Sequence, residues 1–132
     1  MGGWVIVLLD TCALLWAWAE PEKLSGRLEG ILQDPHNQVW VSAASAWEIA
    51  TKHRIGKYPA GGPIVAEWSD RIARDGFRQL DVSCAHALRA GSLPGDHRDP
   101  FDRMIAAQGM METIRVATPD PAIATLGADT IW

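Results

Sequence analysis

The chain has 132 residues, 48% of them hydrophobic, and a formal charge of −4. Those values predict one domain over residues 1–132 with a core of its own, and exclude disordered, fibrous and disulfide-scaffold proteins. The acidic balance argues against a broad basic face for nucleic acid, but carboxylates gathered around a divalent cation count as negative in the sequence and are neutralised in use. The start of the chain has neither the basic residues nor the small-residue cleavage site of a signal peptide. No apolar run is long enough to span a bilayer, so a cytoplasmic protein without membrane contact is expected. Cys12 and Cys84 make no disulfide framework or zinc spacing and read as buried small residues.

In chain order, the aliphatic run from Val5 to Asp10 reads as a strand buried on both faces, with Asp10 at its carboxyl end. Thr11 to Trp16 begins a helix. Glu20-Pro21-Glu22 opens a second, running through Leu24, Leu28, Ile31 and Leu32 to a turn at Asp34-Pro35-His36-Asn37. Val39 to Val41 is a strand, and Ser42 to Ile55 a helix with Gly56 past its end. A loop from Pro59 to Pro63 precedes a helix from Ile64 to Arg74 with Val65, Trp68 and Ile72 on one face. Phe77 to Val82 is a third strand and Ser83 to Ala90 a helix. After a Gly- and Pro-rich loop, Asp99 to Met110 is the last long helix, Thr113 to Ala117 a fourth strand and Thr130 to Trp132 a short fifth. This alternation implies an α/β fold with a parallel sheet between two helical layers.

Acids recur just after the predicted strands, where ligands bind in such sheets: Asp10, Glu48, Asp99 with Asp102, and Asp120. Each has a structural alternative. Ser45 and Glu48 fit a capping box, although Ser42 is an equally good cap and would leave Glu48 inside the helix. Asp99, with Pro100 and Asp102, and Asp120, with Pro121, look like helix N-caps. Asp10 is hardest to dismiss, because a carboxylate beside an apolar core is costly without a partner. Together these acids would repel one another unless a cation sat among them, and oxygen ligands suit Mg²⁺ or Mn²⁺. His36, His53, His86 and His97 show no metal spacing and read as solvent or loop residues, and Trp47 reads as core. Trp16, Trp18 and the leucines of the first two helices exceed what a small core hides, predicting an apolar patch for a partner.

Four blocks carry a family resemblance: Leu9-Asp10-Thr11-Cys12-Ala13-Leu14-Leu15-Trp16, Ser42 to Lys52, His97 to Gln108, and Thr118-Pro119-Asp120. In this order and spacing, over almost the whole chain, they resemble the PIN-domain ribonucleases, and among them the VapC-like toxins of bacterial toxin–antitoxin pairs. The commonest first block of that family has His where Cys12 stands, at a position that is not one of its acids. The resemblance implies a three-layer α/β/α PIN-like fold with a central parallel sheet of four to five strands. It implies a metal-dependent endoribonuclease acting on single-stranded or loop RNA with Mg²⁺ or Mn²⁺, a cognate antitoxin and a homodimer. It maps the family's acids onto Asp10, Glu48, Asp102 and Asp120, with Asp99 an extra acid of one subgroup that either binds metal or caps its helix.

Chemistry argued beside that resemblance makes Asp10 and Asp102 direct metal ligands, one ending a buried strand and the other opening a helix. Glu48 and Asp120 would position water or a second ion. Thr11 and Thr118 are expected to hydrogen-bond these acids or a phosphate. Lys52, one turn after Glu48, either pairs with it or contacts RNA backbone, and Arg103 is a further backbone contact. The competing readings are a non-enzymatic PIN-like RNA-binding protein, which loss of acids would mark, and a metal-dependent phosphatase or phosphotransferase. The latter resembles the Asp10-Thr11-Cys12 start but wants an Asp where Cys12 stands.

Overall fold

The structure, a computed structural model, describes residues 3–132. A five-stranded, wholly parallel sheet of order β3-β2-β1-β4-β5 lies between two helical layers. Its strands are β1 (Ile6–Leu9), β2 (Gln38–Ser42), β3 (Arg78–Leu80), β4 (Arg115–Ala117) and β5 (Thr130–Ile131). The helices are α1 (Thr11–Ala19), α2 (Gly26–Gln33), α3 (Ala43–Arg54), α4 (Gly61–Ala66), α5 (Trp68–Asp75), α6 (Cys84–Ser92), α7 (Pro100–Glu112) and α8 (Pro121–Thr125).

β1 is central because both of its faces are apolar. Val7 and Leu9 join Val39 and Val41 of β2 under α1 to α5, whereas Leu8 joins Val116 under α6, α7 and α8. The second layer sits close to the sheet because Gly109 carries no side chain. A Cβ there would meet Val116 Cγ2 at 2.6 Å and the Ile114 carbonyl at 3.0 Å. From β1 the chain leaves toward β2 on one side, and it returns to β4 on the other. The sheet therefore has its topological switch point between β1 and β4, and a crevice opens there at the carboxyl ends of the strands.

Several local expectations change. The helix expected from Glu20 is a 3-10 turn at Pro21–Lys23 followed by α2, because the Ser25 hydroxyl accepts from the Leu28 amide and starts a new helix. The helix expected from Ile64 starts at Gly61 and breaks at Glu67 into α4 and α5, and Ile64 rather than Val65 is buried. α5 then stops at Gly76, whose left-handed φ of 67° suits a residue without a Cβ. Ser42 is the cap of α3, accepting from the Ala44 amide at 3.0 Å, so no capping box joins Ser45 to Glu48. The capping box lies instead at Ser83 and His86. His86 is buried and donates from Nε2 to Glu112 while its Nδ1 faces the amides of Ser83 and Gln108, so it is no solvent residue.

Cys12 is half-buried and Cys84 exposed, which corrects the reading of both as core. Trp16 and Trp18 are half-buried and paired, the first with Trp132 and the second with Trp68 and Phe77. The expected apolar patch on α1 is therefore largely covered by the chain itself. Among the described residues no helix is long and apolar enough to cross a membrane.

Candidate metal centre

The crevice at the switch point, about 380 Å³, is lined by Asp10, Glu48, Asp99, Asp102 and Asp120 together with Lys52 and Cys12. A larger cavity of about 740 Å³ lies at the opposite ends of the strands. The chemistry is not there: its one acid, Asp129, is ion-paired with Arg115 at 3.6 Å.

Asp10 follows β1 directly and caps α1, its Oδ1 accepting from the Ala13 amide at 2.7 Å. It is 3% exposed. Burial pushes its carboxyl up to about 6, against the Thr118 hydroxyl and the Ala13 amide, which favour the anion; Asp102 and Asp120 add repulsion. Glu48 sits in the second turn of α3. Its Oε2 pairs with Lys52 Nζ, and its Oε1 is buried without a hydrogen-bond partner. Asp99 caps α7, with Oδ1 accepting from the amides of Phe101 at 2.9 Å and Asp102 at 3.2 Å. Asp102, one turn on, lies 2.9 Å through Oδ2 from His97 Nε2. Its carboxyl is raised by burial, lowered by His97, and raised again by Asp99 and Glu48. Asp120 caps α8 through the Ala122 amide at 2.9 Å, while its own amide donates to the Thr118 hydroxyl at 3.0 Å.

One pattern runs through all five acids. In each, one carboxylate oxygen is held by the hydrogen bonds just given. The other is uncommitted, apart from the Thr118 hydroxyl beside Asp10. Glu48 Oε1 is the one that is buried as well, and an unpartnered buried carboxylate oxygen is expensive to keep. A hard cation is the partner that an all-oxygen donor set would take, and Mg²⁺ or Mn²⁺ fits it. Among the described residues no three acid, histidine or cysteine side chains close around one point as a ready cage. Lys52, His97 and the helix amides hold the carboxylates apart, as mutual repulsion requires.

Other candidates do different work. Thr11 Oγ1 meets Ser45 Oγ at 2.9 Å, tying α1 to α3 rather than touching an acid. Lys52 pairs with Glu48, whose carboxylate raises the lysine's pKa. Arg103 does not face the crevice as an RNA contact. It donates to the carbonyls of Ala90 (3.0 Å), His97 (3.0 Å) and Leu93, clamping the loop before α7. That loop carries His97, whose role comes only from its fold-back onto Asp102, five residues on, a contact its spacing in the sequence does not reveal. Glu20, read only as a helix start, also lines the crevice, as do Tyr58 and Trp16.

Comparison with known proteins matches residues 7–128 to the PIN domain family model. A stretch of 66 residues, 48% of this chain, is 46% identical to Ribonuclease VapC16 of Mycobacterium tuberculosis. The chain thus spans about half the length of that curated relative, 47% of it. Among solved structures, VapBC2 from Rickettsia felis, bound to a DNA fragment from its promoter, superposes with a TM-score of 0.64. The identity is 14%, over 97% of this chain and 98% of that one. A toxin-antitoxin complex from Klebsiella pneumoniae gives 0.57 at 18% identity, over 87% of each chain. At such identities the likeness concerns the three-layer fold.

Proposed function

The chain belongs to the PIN domain family, and from that premise we propose that it is a metal-dependent endoribonuclease, the toxin of a toxin–antitoxin pair. The observation that carries this reading is the set of five half-committed carboxylates in one crevice, with the buried Oε1 of Glu48 unpartnered among them. The names of the relative and of the structural neighbours support it, since one is a ribonuclease and another a toxin-antitoxin complex. In this reading the substrate is single-stranded or loop RNA, and a cognate antitoxin covers the crevice of a homodimer. The unpaired Cys12 and Cys84 suit a reducing cytoplasm.

Asp10, Asp102 and Asp99 would hold a Mg²⁺ or Mn²⁺, with Glu48 and Asp120 ordering water beside it. Such an ion, when bound, lowers the pKa of a water and offsets charge on the phosphate. The chain's own residues do the rest. The Ala13 amide and the Thr118 hydroxyl orient the Asp10 carboxylate, and His97 fixes the rotation of Asp102. Lys52 pairs with Glu48 and is the cation in the crevice nearest to hand for a phosphate oxygen.

The test is incubation of the purified protein with total cellular RNA, with and without Mn²⁺, mapping new ends. Discrete ends that need Mn²⁺ and vanish in Asp102→Asn are expected. No new ends with Mn²⁺, or the same ends from the variant, would overturn the reading.

A further inference from the structure

α3 carries one large apolar side chain that neither the core nor the metal chemistry uses. Trp47 is 61% exposed, and it lies outside both core clusters. The expectation that it is core is therefore wrong. It meets Phe101 edge-to-face, with ring centroids 4.9 Å apart and planes at 74°. Trp47 directly precedes Glu48, and Phe101 directly precedes Asp102. The pair thus bridges α3 and α7, which pack together, and each ring precedes a crevice acid in the chain without itself lining the crevice. Other tryptophans have partners that account for them or lie away from the acids: Trp18 packs on Trp68 and Phe77, Trp16 on Trp132, Trp40 lies under the Arg78 guanidinium, and the exposed Trp4 stacks on His36 at the opposite ends of the strands.

We propose that Trp47, braced by Phe101, is a stacking platform for an unpaired base next to the scissile phosphate. The proposal rests on the ribonuclease reading and adds the part of the substrate that the acids do not touch. Single-stranded RNA is held by aromatic faces alternating with cationic groups along the backbone. Here Lys52 stands one turn after Glu48, and the exposed Arg54 and Arg98 extend the cationic side beyond α3 and before α7. A protein segment would want a continuous apolar patch instead. In α3 and α7 the aromatic pair stands alone, and the next exposed large apolar side chain, Ile55, is two helical turns along. A ring braced at its edge loses little freedom when a base stacks on it, which favours this use.

The experiment measures anisotropy of a fluorescein-labelled short oligoadenylate, with Ca²⁺ replacing Mn²⁺, for the parent, Trp47→Leu and Trp47→Phe. A parallel series carries one abasic nucleotide, moved along the strand. Trp47→Leu should bind roughly 5- to 150-fold more weakly, the loss of one stacked base, while Trp47→Phe keeps most of the affinity. One abasic position should weaken the parent as much and cost Trp47→Leu nothing further, a coupling that a merely structural role would not produce. Trp47→Phe should melt with the parent and Trp47→Leu slightly below it, having lost the edge-to-face contact with Phe101, with both variants fully folded at the assay temperature.

Equal binding by Trp47→Leu and the parent, or an abasic penalty identical in both, overturns the platform. So does a Trp47→Leu variant that keeps its RNA affinity but loses a co-expressed protein partner, which would assign the ring to protein contact. A parent that neither binds these oligonucleotides nor cuts total RNA overturns the ribonuclease reading as well. A parent that does both, with Trp47→Leu unchanged, overturns the platform alone.

Discussion

Replacing Asp10 by Asn should stabilise the metal-free protein, by an amount set by pH. The carboxyl moves from 3.8 in the unfolded chain to about 6 in the folded one. At 1.36 kcal/mol per pH unit, ionising it in place costs about 3 kcal/mol. A raised carboxyl favours folding fully below its unfolded value, and that contribution is lost as pH rises through the folded value. The parent should therefore lose stability between pH 4 and about 7, from this group alone, relative to Asp10→Asn. Asparagine keeps the cap on α1, since its carbonyl can accept from the Ala13 amide as Asp10 does. Urea melts at a series of pH values in EDTA measure the difference. The two proteins should coincide at pH 4 and separate toward about 3 kcal/mol at pH 7. Millimolar Mn²⁺ should raise the melting temperature of the parent and leave the variant nearly unmoved. A gap independent of pH would refute the claim that the buried charge of Asp10 is the cost.

Asp102→Asn should abolish Mn²⁺-dependent cleavage with little change in melting, whereas Asp99→Ala should lose on the order of 1 kcal/mol, as N-caps do, and only part of the activity. Reversed outcomes in paired melting and cleavage assays would exchange their roles. Arg103→Ala removes the donor to three carbonyls and should cost about 3 kcal/mol, with faster amide exchange from Leu93 to His97. Gly109→Ala drives a Cβ into Val116 and should cost about 1 to 3 kcal/mol by thermal melting, without altering Mn²⁺ binding.

The sheet was legible because its strands announce themselves. Val5 to Leu9 is apolar on both faces, and such a strand has to be central in a parallel sheet. The positions of the acids after the strands were legible for the same reason, since topology sends those ends to one side. What escaped depends on contacts between elements. The break at Ser25 turns on one hydroxyl choosing the Leu28 amide over a continued helix. Trp47 looks like core in any sequence window, and only the packing of α3 against α7 leaves it outside. Arg103 acts by clamping a nearby loop, and His97 by reaching from that loop to Asp102, contacts that no sequence window shows. Charge and exposure in the sequence do not distinguish a guanidinium aimed at solvent from one spent on carbonyls.

Capping and metal binding need not compete for the same carboxylate. Asp10, Asp99 and Asp120 are the N-caps of α1, α7 and α8, and all three line the crevice. A cap engages one oxygen with backbone amides and fixes the side-chain rotamer, so the second oxygen is pre-aimed before any ligand arrives. The positive ends of the helices also offset negative charge, by roughly 0.3 to 1 kcal/mol each. That helps explain how five acids share so small a space, although burial drives Asp10 and Asp102 toward protonation. Glu48, inside α3, has no helix terminus to help it and pairs with Lys52 instead. Lys52 in turn leaves Oε1 of Glu48 buried and unpartnered, so the oxygen with least support from the fold is the one with most to gain from a cation.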